Sequence, residues 1–175
     1  MKAVLISIQP KWVELIAEGK KTIEVRKTRP KLETPFKCYI YCTIGNGAKG
    51  DYLVPSGIQC GKVIGEFVCE KIDEWKYLPD CYADDENEKI YYINSVDGHA
   101  TCLTYDEIEN YGNGKTLYGW HISDLKIYDK AKSIEMFPVG KIARDCGCGG
   151  YMIYNKVLAR PPQSWCYVEE LEVEL

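Results

Sequence analysis

Gly19-Lys20-Lys21-Thr22-Ile23-Glu24-Val25-Arg26 is the stretch on which the reading of this chain turns. Gly19 suits the left-handed residue that ends a helix, because it has no Cβ to clash. Lys20 and Lys21 favour the negative end of that helix. From Thr22 to Val25 polar and apolar residues alternate, so a strand leaves the helix directly. Ile23 and Val25 then face the core, and Thr22, Glu24 and Arg26 share the opposite side. Lys21 has the parity of Ile23 and Val25 unless the tight turn breaks the alternation. A partly apolar wall there is the setting that depresses a lysine pKa, as nucleophilic or basic lysines require. Glu24 and Arg26 either form an exposed salt-linked pair, worth under ~1 kcal/mol, or grip a polar ligand.

Upstream, Lys2 to Ile8 reads as a buried strand. Pro10 suits a first helical turn, where its missing N–H costs nothing. Trp12, Val13, Leu15, Ile16 and Ala17 then give a helical apolar face. Downstream, Pro30 and Pro35 bracket a loop before a strong strand over Phe36–Cys42. Lys62–Cys69 is another strand, extending through Ile72. Thr104-Tyr105-Asp106-Glu107 has capping-box form and opens a short helix ending near Gly112. Leu117 to Tyr128 holds extended chain, with Trp120, Ile122, Leu125 and Ile127 as core candidates. Ser133 to Phe137 reads as a helical turn, 146–150 as a loop, and Ser164–Leu171 as a closing strand. Strands outnumber helices and lack the regular alternation of a parallel α/β sheet. The expected class is α+β: a small mixed β-barrel with two or three flanking short helices. One domain over residues 1–175 is expected, with insertions at 79–118 and 140–160.

The chain has 175 residues, 46% of them apolar, enough for a sizeable core. It has 14 Tyr against 3 Phe, and Tyr belongs at rims and pocket walls, with its ring packed and its hydroxyl wet. No secretory signal and no run of ~20 apolar residues is evident. Nine cysteines, an odd number, point to reduced thiols and a cytosolic setting. The net charge of −4 speaks against a general nucleic-acid binder. The distribution differs: six positive residues against one negative between Lys20 and Lys31 give that stretch +5 and the remainder −9. This is either a solvated basic strand and loop or a phosphate-steering patch beside a pocket.

Gly45-Asn46-Gly47-Ala48-Lys49-Gly50 matches the dinucleotide-binding glycine pattern literally, but no helix can follow it through Pro55. Cys146-Gly147-Cys148, with Cys166, His121 or His99, is one tight thiol pair where structural zinc shows two. No metal and no cofactor are expected. His121, beside Trp120 in a strand, reads as structural. No nucleophile elbow or zinc helix occurs.

Ser7-Ile8-Gln9-Pro10 followed by the Gly19–Arg26 stretch resembles the ASCH family, a branch of the PUA-like β-barrels. Gly65-Glu66-Phe67-Val68 and Pro161-Pro162-Gln163-Ser164-Trp165-Cys166-Tyr167-Val168-Glu169 resemble the version in bacterial and prophage ASCH proteins. The resemblance implies a small barrel with a cleft walled by the Gly-Lys turn, and RNA or nucleotides as ligand. Ligand-binding residues implied are Gln9, Pro10, Trp12, Lys20, Thr22, Arg26, Ser164 and Trp165. Arg26 would meet a phosphate or base edge, Glu24 an exocyclic amine, and Trp165, Trp12 or a nearby Tyr a base face. Some members are amidohydrolases that deacetylate the exocyclic amine of cytidine, using a lysine, a threonine and a distant glutamate. Lys21 matches that lysine, and Glu24 stands at the threonine's position. Glu107 and Glu109 are both candidates for the distant glutamate. The enzymatic alternative thus makes Lys21 and Glu24 catalytic. Other members are ribonucleases, a chemistry for which no residue set is evident here. A third reading is a protein partner captured through the acidic run Asp84–Glu88; no membrane partner is expected.

Overall fold

The computed structural model describes residues 1–44, 56–80, 89–148 and 150–171. The glycine pattern at 45–50, the acidic run at 84–88 and the end of the acidic tail lie outside these residues. In chain order the elements are β1 (Lys2–Ile8), α1 (Pro10–Ala17), β2 (Ile23–Arg26), β3 (Phe36–Cys42), β4 (Val63–Trp75), β5 (Tyr77–Pro79) and β6 (Lys89–Tyr91). They continue with α2 (Ser95–Thr101), α3 (Tyr105–Gly112), β7 (Leu117–Lys132), a 3₁₀ turn (Ile134–Met136), β8 (Pro138–Asp145), β9 (Tyr151–Val157) and β10 (Trp165–Glu169). The class is mixed and sheet-dominated, with three helices among the described residues, as expected. No helix among the described residues is long and apolar enough to cross a membrane.

The chain divides into two compact units. The first comprises Met1–Glu14, Phe36–Val68 and Asp124–Leu175. Here β1 lies between β10, antiparallel with Leu5 opposite Cys166, and β3, parallel with Leu5 opposite Tyr39. A parallel pair needs a crossover, and the segment from Gln9 to Pro35 supplies it. The run Ala3-Val4-Leu5-Ile6 is fully buried, as befits a central strand covered on both faces. Leu5, Tyr39, Tyr41, Val63, Phe137 and Val168 pack into one core cluster. Phe137 reaches it because Ser133 starts the 3₁₀ turn and the Phe137 N–H closes it on the Ile134 carbonyl at 3.1 Å. Gly65 marks the close approach of β4 to β7, since a Cβ there would stand 2.5 Å from the Lys126 carbonyl oxygen. β8 and β9 form a separate two-stranded ribbon.

The second unit comprises Leu15–Pro35 and Cys69–Ser123. Its strand order is β4, β7, β2, with β2 antiparallel to β7. Ile23, Val25, Trp75, Tyr91, Ile108 and Leu117 make its core. Asn94 caps α2 by accepting from the Asp97 N–H, and Thr104 and Glu107 form the expected capping box on α3.

Of the core candidates in β7 only Trp120 is buried, with Ile122 and Leu125 half-buried and Ile127 exposed. The expectation for the cysteines is also corrected. Cys146 and Cys148 are joined as a disulfide, so this pair is neither reduced nor a thiolate pair for a metal. Their Cα atoms lie 5.4 Å apart, within disulfide reach. Cys38, Cys42, Cys60 and Cys69 are buried and outside any disulfide, used as small core residues. Burial pushes the Cys69 thiol up to about 12.

Candidate functional site

Two events at the end of α1 set the site. Gly19, at φ +71°, takes the left-handed turn expected of it. The N–H groups of Lys20 and Lys21 then both close on the Leu15 carbonyl, at 2.9 and 3.0 Å. Thr22 is pinned between two other elements, donating its N–H to Ala100 and accepting from the Ile122 N–H, each at 2.9 Å. This turn preserves the parity of Lys21, whose side chain goes inward and is 2% exposed.

The buried ammonium meets acceptors on three residues at least. Lys21 Nζ donates to the Thr101 carbonyl at 2.7 Å, to the Ile23 carbonyl at 2.9 Å, and lies 3.3 Å from Glu24 Oε2. Glu24 Oε1 takes Arg26 Nη2 at 3.0 Å. One carboxylate therefore bridges two cations, and the three groups together carry +1. Glu24 and Arg26 are 6% and 8% exposed, so the polar face of β2 is not a solvated one. Burial, more than any other influence, pushes the pKa of the Tyr111 hydroxyl of α3 above its ordinary value. The charge of Arg26, and hydrogen bonding from the Lys27 N–H and the Arg26 side chain, act to lower it. The Lys27 ammonium lies 4.8 Å from the centre of the Tyr111 ring, and the Arg29 guanidinium 5.8 Å from that of Tyr118, which stands opposite Arg26 in the ladder. Cations over aromatic faces at these distances are attracted to the ring.

The structure thus brings together Lys21, Glu24 and Arg26, with Lys20 and Thr22 exposed beside them in the second unit. Gln9, Pro10, Trp12, Ser164 and Trp165 belong to the first unit. Gln9 offers its carbonyl to the Trp12 and Val13 N–H groups and so starts α1 at Pro10. Trp12 carries the Lys11 ammonium 4.1 Å above its ring. The Ser164 carbonyl accepts the Ser7 N–H at 2.8 Å, and Trp165 stacks edge-on against Tyr167. Glu107 is engaged in the capping box and Glu109 accepts from the Tyr77 hydroxyl at 3.3 Å. Tyr111, Tyr118 and the Thr101 carbonyl are not singled out by any sequence pattern; the excess of tyrosine is the sole hint of the first two.

His121 is structural in its surroundings: its Nε2 lies 2.6 Å from Asp73 Oδ2. Among the described residues the ligand-type atoms of Asp73, Asp97 and His121 lie within 4.8 Å of one another. Lys71 Nζ already sits 2.6 Å from Asp73 Oδ1, so the Asp73 charge is met. Burial pushes the Asp73 carboxyl up, but hydrogen bonds from Lys71 and His121 outweigh it and hold the pKa below the ordinary 3.8. A depressed carboxylate stabilises the fold above its unfolded-state value, and that stability is lost as pH falls through the folded one. Asp73→Asn is therefore expected to lower the urea midpoint at neutral pH. Its deficit against the parent protein shrinks as the pH is taken below 3.8; an undiminished deficit in acid contradicts this assignment.

The family described as the ASCH domain matches residues 6–135. No curated protein sequence matches the chain. Among solved structures it resembles ASCH from Zymomonas mobilis, with 18% identity, a TM-score of 0.57, and 96% of this chain and 88% of that one covered. A point mutant of the same protein aligns at 17% identity and a TM-score of 0.58, over 96% and 89% of the two chains. These likenesses concern the fold, and the domain match spans well over half of the sequence. The chain belongs to the ASCH domain family.

Proposed function

We propose that this ASCH-domain protein binds RNA or a nucleotide at the edge of the Lys21–Glu24–Arg26 array. The ASCH family is a PUA-like one, generally RNA-binding. The observation that carries the reading is the ion-pair chain Lys21–Glu24–Arg26 together with Lys27 over the Tyr111 ring. It joins a preorganised net positive charge to an aromatic face that is 37% exposed. Single-stranded RNA needs both a cationic track for phosphates and a ring on which a base stacks. The Glu24 carboxylate has more lone-pair sites than the two cations occupy, so it retains capacity to accept from an exocyclic amine of a cytosine-like base.

Nothing in this geometry favours the amidohydrolase alternative. Lys21 meets acceptors on three residues at least within hydrogen-bonding or ion-pairing reach, which suits an anchor better than a base. The position of the family hydrolases' threonine is filled by Glu24.

The test is RNA affinity across salt for the parent, for Lys27→Ala with Arg29→Ala, and for Tyr111→Ala. The doubly neutralised variant is expected to flatten the log–log salt slope by about 0.7 for each phosphate it no longer neutralises. Tyr111→Ala is expected to cost ~1–3 kcal/mol of binding at every salt. Salt-independent binding that survives both changes would defeat the proposal.

A further inference from the structure

The β8–β9 ribbon is exposed to a degree that a finished surface does not show. All seven residues of β9 are exposed. Tyr151 and Ile153 are 76% and 69% exposed, and Met152, Tyr154 and Val157 are exposed too. The register sets Tyr151 and Ile153 on one face with Ala143, and Met152 and Tyr154 on the other with Ile142. Both faces of one strand are thus apolar. An isolated two-stranded ribbon is marginal in water, whereas three or more strands with a hydrophobic face are stable. Exposed apolar patches of this kind mark interaction sites.

The edge indicates what covers it. β9 pairs with β8 on one side, and its other side has no ladder partner among the described residues. Free edges are ordinarily guarded by lysine, proline, a bulge or a charge. From Tyr151 to Asn155 there is neither a charge nor a proline. The irregularity of this ladder lies at its other end, between Pro138 and Gly140. The ribbon's cations Lys141 and Arg144 sit on β8, away from the open edge, and only Lys156 lies on β9. Such an edge is self-complementary. Antiparallel pairing about Ile153 sets Met152 against Tyr154 of a second copy, and Lys156 against its Gly150. No like charges oppose one another, which is the electrostatic condition for a strand to pair with itself. An RNA partner would use the cations of β8 and leave the neutral edge and the Tyr151–Ile153 face unexplained.

We propose that β9 is a dimerisation edge, which joins two copies of the chain about a two-fold axis into a four-stranded sheet β8-β9-β9-β8. Closed two-fold pairing of one edge with itself is the commonest symmetry of soluble oligomers. The ribbon lies beyond residue 135, where the family match ends. It does not depend on the RNA reading.

Sedimentation equilibrium of the full chain over a wide concentration range tests it. The parent is expected to show a monomer–dimer equilibrium. Ile153→Lys places two ammonium groups against each other at the axis and is expected to weaken the dimer about tenfold or more. Val96→Lys, an equally exposed apolar position in the second unit, is expected to leave it unchanged. Ile153→Cys is expected to cross-link between copies on mild oxidation well above the parent's background. Circular dichroism checks that each variant is folded. A parent that stays monomeric throughout, without cross-linking of Ile153→Cys, overturns the proposal. So does a monomer whose RNA affinity drops in Ile153→Lys, which would assign the ribbon to RNA instead.

Discussion

Lys21→Met is expected to destabilise the chain by about 3–5 kcal/mol, the cost of removing one partner from a buried ion pair. The ammonium is 2% exposed and holds Glu24, Thr101 and Ile23 together. Methionine fills much the same space, so packing changes little and the loss isolates the charge. What remains is a buried carboxylate with one cation where there were two, and two carbonyls stripped of a donor. Each buried polar group left unmet costs about 1–3 kcal/mol. A domain has only about 5–15 kcal/mol in hand, so this substitution brings it close to unfolding at ordinary temperature. Adding Glu24→Gln to Lys21→Met is expected to restore part of the loss, because the stranded negative charge goes with it. Urea unfolding of the two variants measures both numbers. A single-variant loss below ~1 kcal/mol would mean that water reaches the ammonium.

Phe137→Ala is the matching test of the first unit, with an expected loss of about 3–5 kcal/mol. The ring is fully buried and meets Tyr39 edge-on at 4.8 Å between centroids. Leu5, Val63 and Val168 belong to the same cluster, and all three sit on strands that cannot move inward to fill the hole. The neighbouring Met136, 51% exposed, provides the control: Met136→Ala should stay within about 0.5 kcal/mol of the parent. If the two substitutions cost the same, the 3₁₀ turn does not deliver Phe137 into the core as described.

Much of this architecture is legible in the residues because local chemistry decides it. Pro10, Gly19 and the Thr104–Glu107 box are punctuation marks whose physics is complete within four or five residues. The observed bounds of α1, the turn after it and α3 follow them closely. Strand β3 begins and ends where its apolar run does. Other elements are decided at a distance. Helix α2 has Gly98 in its middle and a weak apolar face, so propensity argues against it; the Asn94 cap holds it instead. The ribbon over 138–157 is not legible as strands because its apolar residues do not alternate with polar ones, as those of a half-buried strand would.

The site shows the same division. Alternation correctly turns Lys21 inward, and it wrongly turns Glu24 and Arg26 out to water. Alternation states which residues share a face and says nothing of what lies on that face. Here Tyr111 comes from a helix far along the chain and sets its ring under the Lys27 ammonium, a partnership no local pattern encodes. The disulfide at Cys146–Cys148 is likewise hidden, because the odd cysteine count speaks for the whole chain and not for this tight pair.

The most direct test of RNA binding at this site is to titrate isotope-labelled protein with a short cytidine-containing RNA and follow every backbone amide and the arginine side chains by NMR. The largest shifts are expected on Glu24, Arg26, Lys27 and Tyr111, and they are expected to fade as salt is raised. Binding whose shifts gather elsewhere and leave these four unmoved would contradict the proposed site.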